Sequence, residues 1–172
     1  MRQFKSQDLD ELYGLYSNPK VMKYVGKGIL TKAETKTRIL KIIESWKKNN
    51  FGMWSVVHKI DNKMIGCCGL CFLDNTLEIE LGYLLNPAYW HQGLATEVAK
   101  TSLRYGFEEF KLKEIVGIAQ PENIASQKVM EKLAIKYEKD ANYYQINMVY
   151  YKIFRKEYHP DSSLYVLHRK SV

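Results

Sequence analysis

Several things are scarce in this chain of 172 residues. Cysteine occurs three times, as Cys67, Cys68 and Cys71, all in one segment. An odd, clustered set cannot frame a disulfide-stabilised domain. Cys68-x-x-Cys71 also lacks the second pair, of cysteine or histidine, that would complete a tetrahedral zinc site. The three lie in Met64–Leu73, which reads as a strand buried on both faces, so they are assigned to the core. That stretch is also the longest near-apolar run, and ten residues are too few to cross a membrane. Met1–Asp8 leads into no hydrophobic segment of the signal-peptide type, so the expected location is cytoplasmic and no membrane partner is expected. Proline occurs four times, each near an element boundary. There is no repeat, low-complexity stretch or linker. The expectation is one domain over 1–172, with 156–172 as a C-terminal extension that carries no motif.

What is present is an ordinary globular composition, 46% hydrophobic and 26% charged, which excludes disorder for the bulk of the chain. The net charge of +7 favours an anionic partner: nucleic acid, a membrane surface, an acidic protein or a phosphorylated cofactor. No run of Lys and Arg reaches five, which argues against a nucleic-acid tail, so nucleic acid is not the expected partner.

Periodicity predicts a short helix over Asp8–Tyr16, stopped at Asn18-Pro19, and a second helix opened by the capping box Thr31-x-x-Glu34 and running to about Lys48. Met53–Ile60, Met64–Leu73 and Leu77–Leu85 read as an antiparallel meander because the turns between them are short. The loop Ala88–Gly93 then leads into a helix over Leu94–Phe110. A strand over Glu114–Gln120, a helix from Asn123 to about Leu133, and strands over Ile135–Glu138 and Asn147–Phe154 complete the pattern, leaving Asp140–Asn147 as the last hairpin loop. The fold class is α+β, a mixed sheet with helices on both faces.

Leu77–Phe110 carries the chemistry. A helix N-terminus presents unpaired backbone N–H groups and a partial positive charge, which suits phosphate. Gly93 lets the backbone approach closely and Ala95 adds almost no bulk, so Gln92-Gly93-Leu94-Ala95-Thr96 is a candidate phosphate cradle. It is neither a Walker loop nor a dinucleotide fingerprint, since Gly-Lys-Ser/Thr and Gly-x-Gly-x-x-Gly are both absent.

The run from Glu80 to Glu97 resembles the acetyl-CoA motif of the GNAT (Gcn5-related) N-acetyltransferases and is most similar to the ribosomal-protein N-terminal acetyltransferase branch. Asn123-x-x-Ser126 through Leu133 resembles the family's next motif, and Asp8–Leu12, Asn18–Tyr24 and Ile65-Gly66 match as well. Several positions depart from the family's pattern, among them Ala134-Ile135, which stands where Gly-Phe commonly follows the last helix. Trp90 stands three residues before the glycine where Arg or Gln is usual, His91 replaces a glycine, and Met130 stands where many relatives carry a proton-donating tyrosine. The first strand is short beside those of relatives, which extend further before Arg2.

The resemblance implies a GNAT fold, a mixed and mostly antiparallel central sheet with a splayed strand pair and helices on both faces. It implies direct transfer of an acetyl group from acetyl-CoA to a primary amine, on a protein N-terminus or a small molecule, by a monomer or homodimer. A non-catalytic acyl-CoA-binding module is the alternative. The cradle and the freed backbone of Leu84 and Leu85 would hold the cofactor. Asn123 would bond its pantetheine arm, or would simply cap its helix. Glu80 is the candidate base, and Glu78 shares its strand face. Ser126, one turn after Asn123 on the same helix face, is the candidate partner of the leaving thiolate. Tyr137, Tyr143 and Tyr144 are the alternatives for that role. His58 is read as packing, and His91 as a possible phosphate contact. Tyr24, Trp54 and Tyr143 are either acceptor-site walls or core.

Overall fold

The computed structural model describes residues 1–160. The expected C-terminal extension is therefore seen only as far as Pro160, with Arg155–Glu157 forming a 3-10 turn; the rest of that stretch, including His168, lies outside the described residues.

Seven strands and five helices follow one another as β1 (Arg2–Gln3), α1 (Leu9–Tyr16), α2 (Pro19–Met22), α3 (Lys32–Asn49), β2 (Met53–His58), β3 (Lys63–Phe72), β4 (Ile79–Leu85), α4 (Leu94–Arg104), β5 (Glu114–Ala119), α5 (Ile124–Lys132), β6 (Lys136–Tyr143) and β7 (Ile146–Phe154). The strands form one sheet in the order β1-β2-β3-β4-β5-β7-β6. Every pairing is antiparallel except β4 with β5, which is parallel. This is the expected α+β fold with its mixed, mostly antiparallel sheet.

Local chemistry sets the helix boundaries. The Thr31 hydroxyl accepts from the Glu34 N–H at 3.2 Å, and the Glu34 carboxylate accepts from the Thr31 N–H at 2.8 Å, which starts α3. Asn18 both ends the first helix and caps α2, accepting from the Lys20 N–H at 2.9 Å. The helix starting at Leu94 is α-helical only to Arg104 and continues as a π turn over Tyr105–Glu109. There Gly106 lies against the side chains of Ile115 and Leu70, so close that a Cβ would stand 2.7 and 3.0 Å from them.

Adjacent residues of β3 show how the layers are arranged. Cys67 touches the Tyr16 hydroxyl of α1 at 3.9 Å, and Cys68 touches the Ser102 hydroxyl of α4 at 3.2 Å. Neighbouring residues on a strand point to opposite faces, so α1 and α4 cover opposite sides of the sheet. Cys67 and Cys68 are fully buried, and burial pushes their thiols up to about 11 and about 12. Among the described residues no cluster of three or more His, Cys, Asp or Glu is placed to hold a metal, and no helix is long and apolar enough to cross a membrane.

The last hairpin departs from the sequence reading. The strands run on to Tyr143 and resume at Ile146, and the turn is only Tyr144-Gln145, both at positive φ (52° and 62°). β6 is a largely exposed edge strand in which Lys139, followed by Asp140, interrupts the alternation of Tyr137, Ala141 and Tyr143 with polar residues, so the pattern that marks a half-buried strand is broken there.

Candidate functional site

Strand β4 organises the site. Asn86 N–H donates to Ile65 O, and Leu73 N–H donates to Glu78 O, at 2.7 and 2.9 Å. In an antiparallel ladder only alternate residues exchange such bonds. Glu80, Gly82 and Leu84 therefore turn their backbone groups to β3, opposite Cys71, Gly69 and Cys67, while Leu81, Tyr83 and Leu85 turn theirs towards β5. On that side β4 and β5 register at a single pair, Glu80 opposite Val116. Beyond it, towards Leu85 and Ala119, no pair is registered, and this is the expected splay. The expectation for Leu84 is corrected by this parity, because its N–H and C=O face Cys67 instead of the gap. The Leu85 carbonyl accepts from the Trp90 indole N–H at 2.8 Å, which leaves the Leu85 N–H and the Tyr83 backbone at the open edge. Trp90, standing where the family's pattern has Arg or Gln, thus ties the loop to the strand end.

Past β4, Asn86 caps a 3-10 turn over Pro87–Tyr89, and Tyr89 donates to Asp61 at 2.6 Å, pinning the loop to the β2–β3 turn. His58 bonds the same carboxylate at 2.8 Å and packs on the Tyr89 ring, in keeping with a packing role. Gly93 then caps α4 at φ 79°, with open space where a side chain would be. The N–H groups of Gly93, Leu94, Ala95 and Thr96 precede the first intrahelical bond, from Glu97 N–H to Gly93 O at 3.1 Å, and no side chain caps them. Four aligned, uncapped donors beside an open glycine fit a pyrophosphate. The Gln92 side chain does not join them, since it bonds back to Ala88 O at 3.1 Å. His91 is exposed at φ 61°, in the left-handed conformation a glycine would take at less cost.

The face of the gap covered by α5 holds Asn123, Ser126 and Tyr83. Asn123 caps α5, its Oδ1 accepting from the Ser126 N–H at 3.2 Å. This leaves its amide NH2 as the group directed elsewhere. The Tyr83 hydroxyl lies 2.9 Å from Ser126 Oγ and donates to Ser126 O at 3.0 Å. Burial holds its phenol well above the usual range, so it stays protonated. Met130 is fully buried against Gly117, where a Cβ would meet its sulfur at 2.6 Å. It packs the core and does not face the gap. Sequence reasoning did not single out Tyr83. Its signal was the odd position on a strand whose even positions carry the acids.

Glu80 lies on the other face, since it and Tyr83 are three residues apart on one strand. The structure therefore does not bring Glu80 and Ser126 together; they border the gap from opposite sides of the sheet. Around Glu80 stand Cys71, at 4.0 Å, and the Tyr144 hydroxyl, which donates at 3.5 Å. Tyr144 is held over it by a clasp: Asp74 N–H donates to the Tyr144 hydroxyl at 2.7 Å, and Tyr144 N–H donates to the Asp74 carboxylate at 3.0 Å. The Arg38 charge, on α3, acts on the Tyr16 hydroxyl and on Glu80. Burial raises the Glu80 carboxyl to about 7, although the Arg38 charge and the Tyr144 hydrogen bond pull the other way. Glu78 is engaged elsewhere, accepting from the Tyr150 hydroxyl and lying 3.6 Å from Lys152. Of the other tyrosines, Tyr143 stacks on Tyr150 and Tyr137 bonds Asp140, so among the three alternatives Tyr144 alone is at Glu80. Trp54 is 1% exposed and belongs to the core, not to an acceptor wall. Arg38 and Tyr16 come from helices whose sequence pattern reads simply as amphipathic, and nothing in that pattern marks them.

Residues 1–136 match the family model described as an acetyltransferase (GNAT) domain. The chain is 32% identical over 138 residues to the uncharacterised N-acetyltransferase YnaD of Bacillus subtilis, covering 80% of this chain and 79% of that one. Among solved structures it is similar to a GNAT-family acetyltransferase from Bacillus anthracis (28% identity, TM-score 0.78, 91% of this chain and 94% of that one). It also shares its fold with a ribosomal-protein-S5-alanine acetyltransferase from Vibrio fischeri (20% identity, TM-score 0.76, 92% and 94%).

Proposed function

The chain belongs to the GNAT acetyltransferase family and so is an N-acetyltransferase that uses acetyl-CoA, and from that premise we propose that its acceptor is an α-amine, on a protein N-terminus or a small molecule, with Glu80 as the base. What supports this is the placement of the Glu80 carboxylate at the splay, beside the Cys71 thiol and the Tyr144 hydroxyl, where burial raises it to about 7. An α-amine with a pKa near 8 needs only about 1.4 kcal/mol to lose its proton at neutral pH, whereas a lysine side chain needs about 4.6. Glu80 is matched to the first and poorly matched to the second. The S5-alanine acetyltransferase named above shares the fold; at its level of identity the likeness does not choose the acceptor.

In this reading the N–H groups of Gly93, Leu94, Ala95 and Thr96 and the main chain of Gln92 hold the pyrophosphate. The Tyr83 and Leu85 backbone at the open edge of β4 and the Asn123 amide receive the pantetheine arm. Acetyl-CoA supplies the activated acetyl group. Glu80 accepts the proton of the incoming ammonium, and Tyr144 orients its carboxylate. Ser126 Oγ, linked to the protonated Tyr83 phenol, holds a proton on the opposite side of the gap, at the place for the departing sulfur.

The test is thermal unfolding with acetyl-CoA, CoA and ATP, followed by turnover of α-amines against lysine side chains. Acetyl-CoA at a hundredfold excess over its Kd stabilises by about 2.7 kcal/mol, or about 5–10 °C for a chain of this size. ATP is expected to give no shift, and peptides with a free α-amine are expected to outpace N-blocked lysine peptides. No shift with acetyl-CoA, or faster lysine turnover, would overturn the assignment.

A further inference from the structure

Four glycines stand in the described strands, Gly66 and Gly69 in β3, Gly82 in β4 and Gly117 in β5. Three have a packing reason. A Cβ on Gly66 would stand 2.3 Å from Leu84 O, one on Gly69 2.3 Å from Gly52 O, and one on Gly117 2.6 Å from the Met130 sulfur. Gly82 has no such reason. Among the described residues beyond its chain neighbours, a Cβ there would meet within 4 Å only the Met53 Cε and Sδ, both at 3.7 Å, an ordinary van der Waals distance. Its φ is not positive either, so neither space nor backbone calls for glycine. A glycine weakens the interior of a strand, and one that packing does not explain marks a place where something outside the strand comes close.

The position of Gly82 says what that is. It lies two residues from Glu80 and shares its face, on the open side of the single β4–β5 pair at Glu80 and Val116. The next residue, Tyr83, offers the free backbone assigned above to the pantetheine arm. An amine that meets Glu80 and then attacks an acetyl group held at that edge passes over Gly82. Gly82 is opposite Gly69, and Gly69 is opposite Met53. With no side chain on either glycine, the Met53 side chain reaches across Gly69 and ends beside Gly82. Gly82 and Met53 are both half-buried. A thioether is unbranched and adapts its shape to what it touches.

We propose that Gly82 is the floor over which the acceptor approaches Glu80 and that the Met53 thioether is the wall beside it, so that these two residues set how bulky the group next to the reacting amine can be. This deepens the α-amine reading and rests on it: the first side chain of the acceptor lies against Gly82 and Met53 while its amine faces Glu80.

The experiment measures kcat/KM in wild type, Gly82→Ala and Met53→Ala with peptides that begin with Gly, Ala, Val or Leu, and with the corresponding amino acid amides. One methylene in a close-fitting site is worth about 10-fold or more. Gly82→Ala should therefore lose about tenfold or more on the Leu members and only about twofold on the Gly members, with a graded loss between them. Met53→Ala should move the Leu-to-Gly ratio the other way, by about threefold or more. Gly82→Ala has room for its methyl group and a less flexible unfolded chain, so its Tm should equal or exceed that of wild type. The acetyl-CoA thermal shift should stay intact in both variants, which shows that they fold and that the floor serves the acceptor. A loss of equal size along the series, no loss, a Tm of Gly82→Ala clearly below wild type, or a thermal shift lost in Gly82→Ala overturns the inference and leaves the acetyltransferase reading standing. Failure of wild type to acetylate any member of either series overturns the α-amine reading beneath it, and the inference with it.

Discussion

The two sides of β4 are built by different means. On the α4–α5 side the groups we assign to the cofactor are mostly main chain: the amides of Gly93 to Thr96, the freed edge at Tyr83 and Leu85, and a cap at Asn123. On the α1–α3 side the groups gathered at the proposed base are side chains, drawn from three separated segments: Cys71, Glu80 and Tyr144. A main-chain site needs small residues in the right places and tolerates change in most side chains. A side-chain site can change its ligand with one substitution. The first side therefore suits a constant co-substrate and the second a variable one.

The sharpest way to break this division is Glu80→Gln. It should lower kcat/KM by about 10²–10³-fold and leave the acetyl-CoA thermal shift unchanged, because the two sides share a strand but no side chain. In wild type the activity should rise through an apparent pKa of about 7, a limb that the variant loses. Stability gives an independent readout. The Glu80 pKa is raised from 4.5 to about 7 on folding, so between those values the folded chain holds a proton that the unfolded chain has released. Stability contributed by the protonated carboxyl is full below 4.5 and is lost as pH rises through 7. Glu80→Gln should therefore melt above wild type at about pH 8 and close to it at about pH 4. Activity that survives, or a stability difference with the opposite sign, would remove Glu80 from the reaction.

The complementary break is Gly93→Val. At φ 79° a β-branched residue is strained by about 1–2 kcal/mol, and relief would turn the first amides of α4 away from the phosphate. The KM for acetyl-CoA should rise about tenfold with kcat within about twofold, since acceptor and base are untouched. A matching fall in kcat with KM unchanged would mean that the cradle serves chemistry more than binding.

The division also explains what the sequence could disclose. Gly93 and Ala95 after a strand, and Asn123 before a helix, are local signals whose meaning lies in their immediate neighbours, and so the cradle and the order of elements were legible. Glu80 was legible because a second carboxylate two residues away on an inner strand is out of place. Leu84 was misjudged because which edge of a strand a residue faces depends on pairing parity, and its own side chain does not report it. Tyr144 was named for the departing thiolate, and its place at Glu80 was not legible because only the tertiary fold brings the turn between β6 and β7 to that carboxylate. The long last hairpin failed for another reason: charged Lys139, followed by Asp140, interrupts the alternation of the exposed edge strand, and the turn at Tyr144-Gln145 has no glycine to announce it.

His91→Gly probes the same comparison with the smallest effect. His91 is the one side chain of the cradle loop that stands in a left-handed conformation. Replacing it with glycine relieves about 1 kcal/mol of backbone strain, while the added freedom of the unfolded chain costs about 0.5–1 kcal/mol. These nearly cancel, so Tm should stay within about 2 °C of wild type. Affinity then becomes the informative readout. If the cradle works through main-chain donors, the KM for acetyl-CoA should be unchanged or slightly lower, because a freer loop still presents the same amides. A rise of about fivefold or more would correspond to about 1 kcal/mol from the imidazole. It would mean that a side chain had entered the phosphate site, and that the cofactor side is, at this one position, built like the acceptor side.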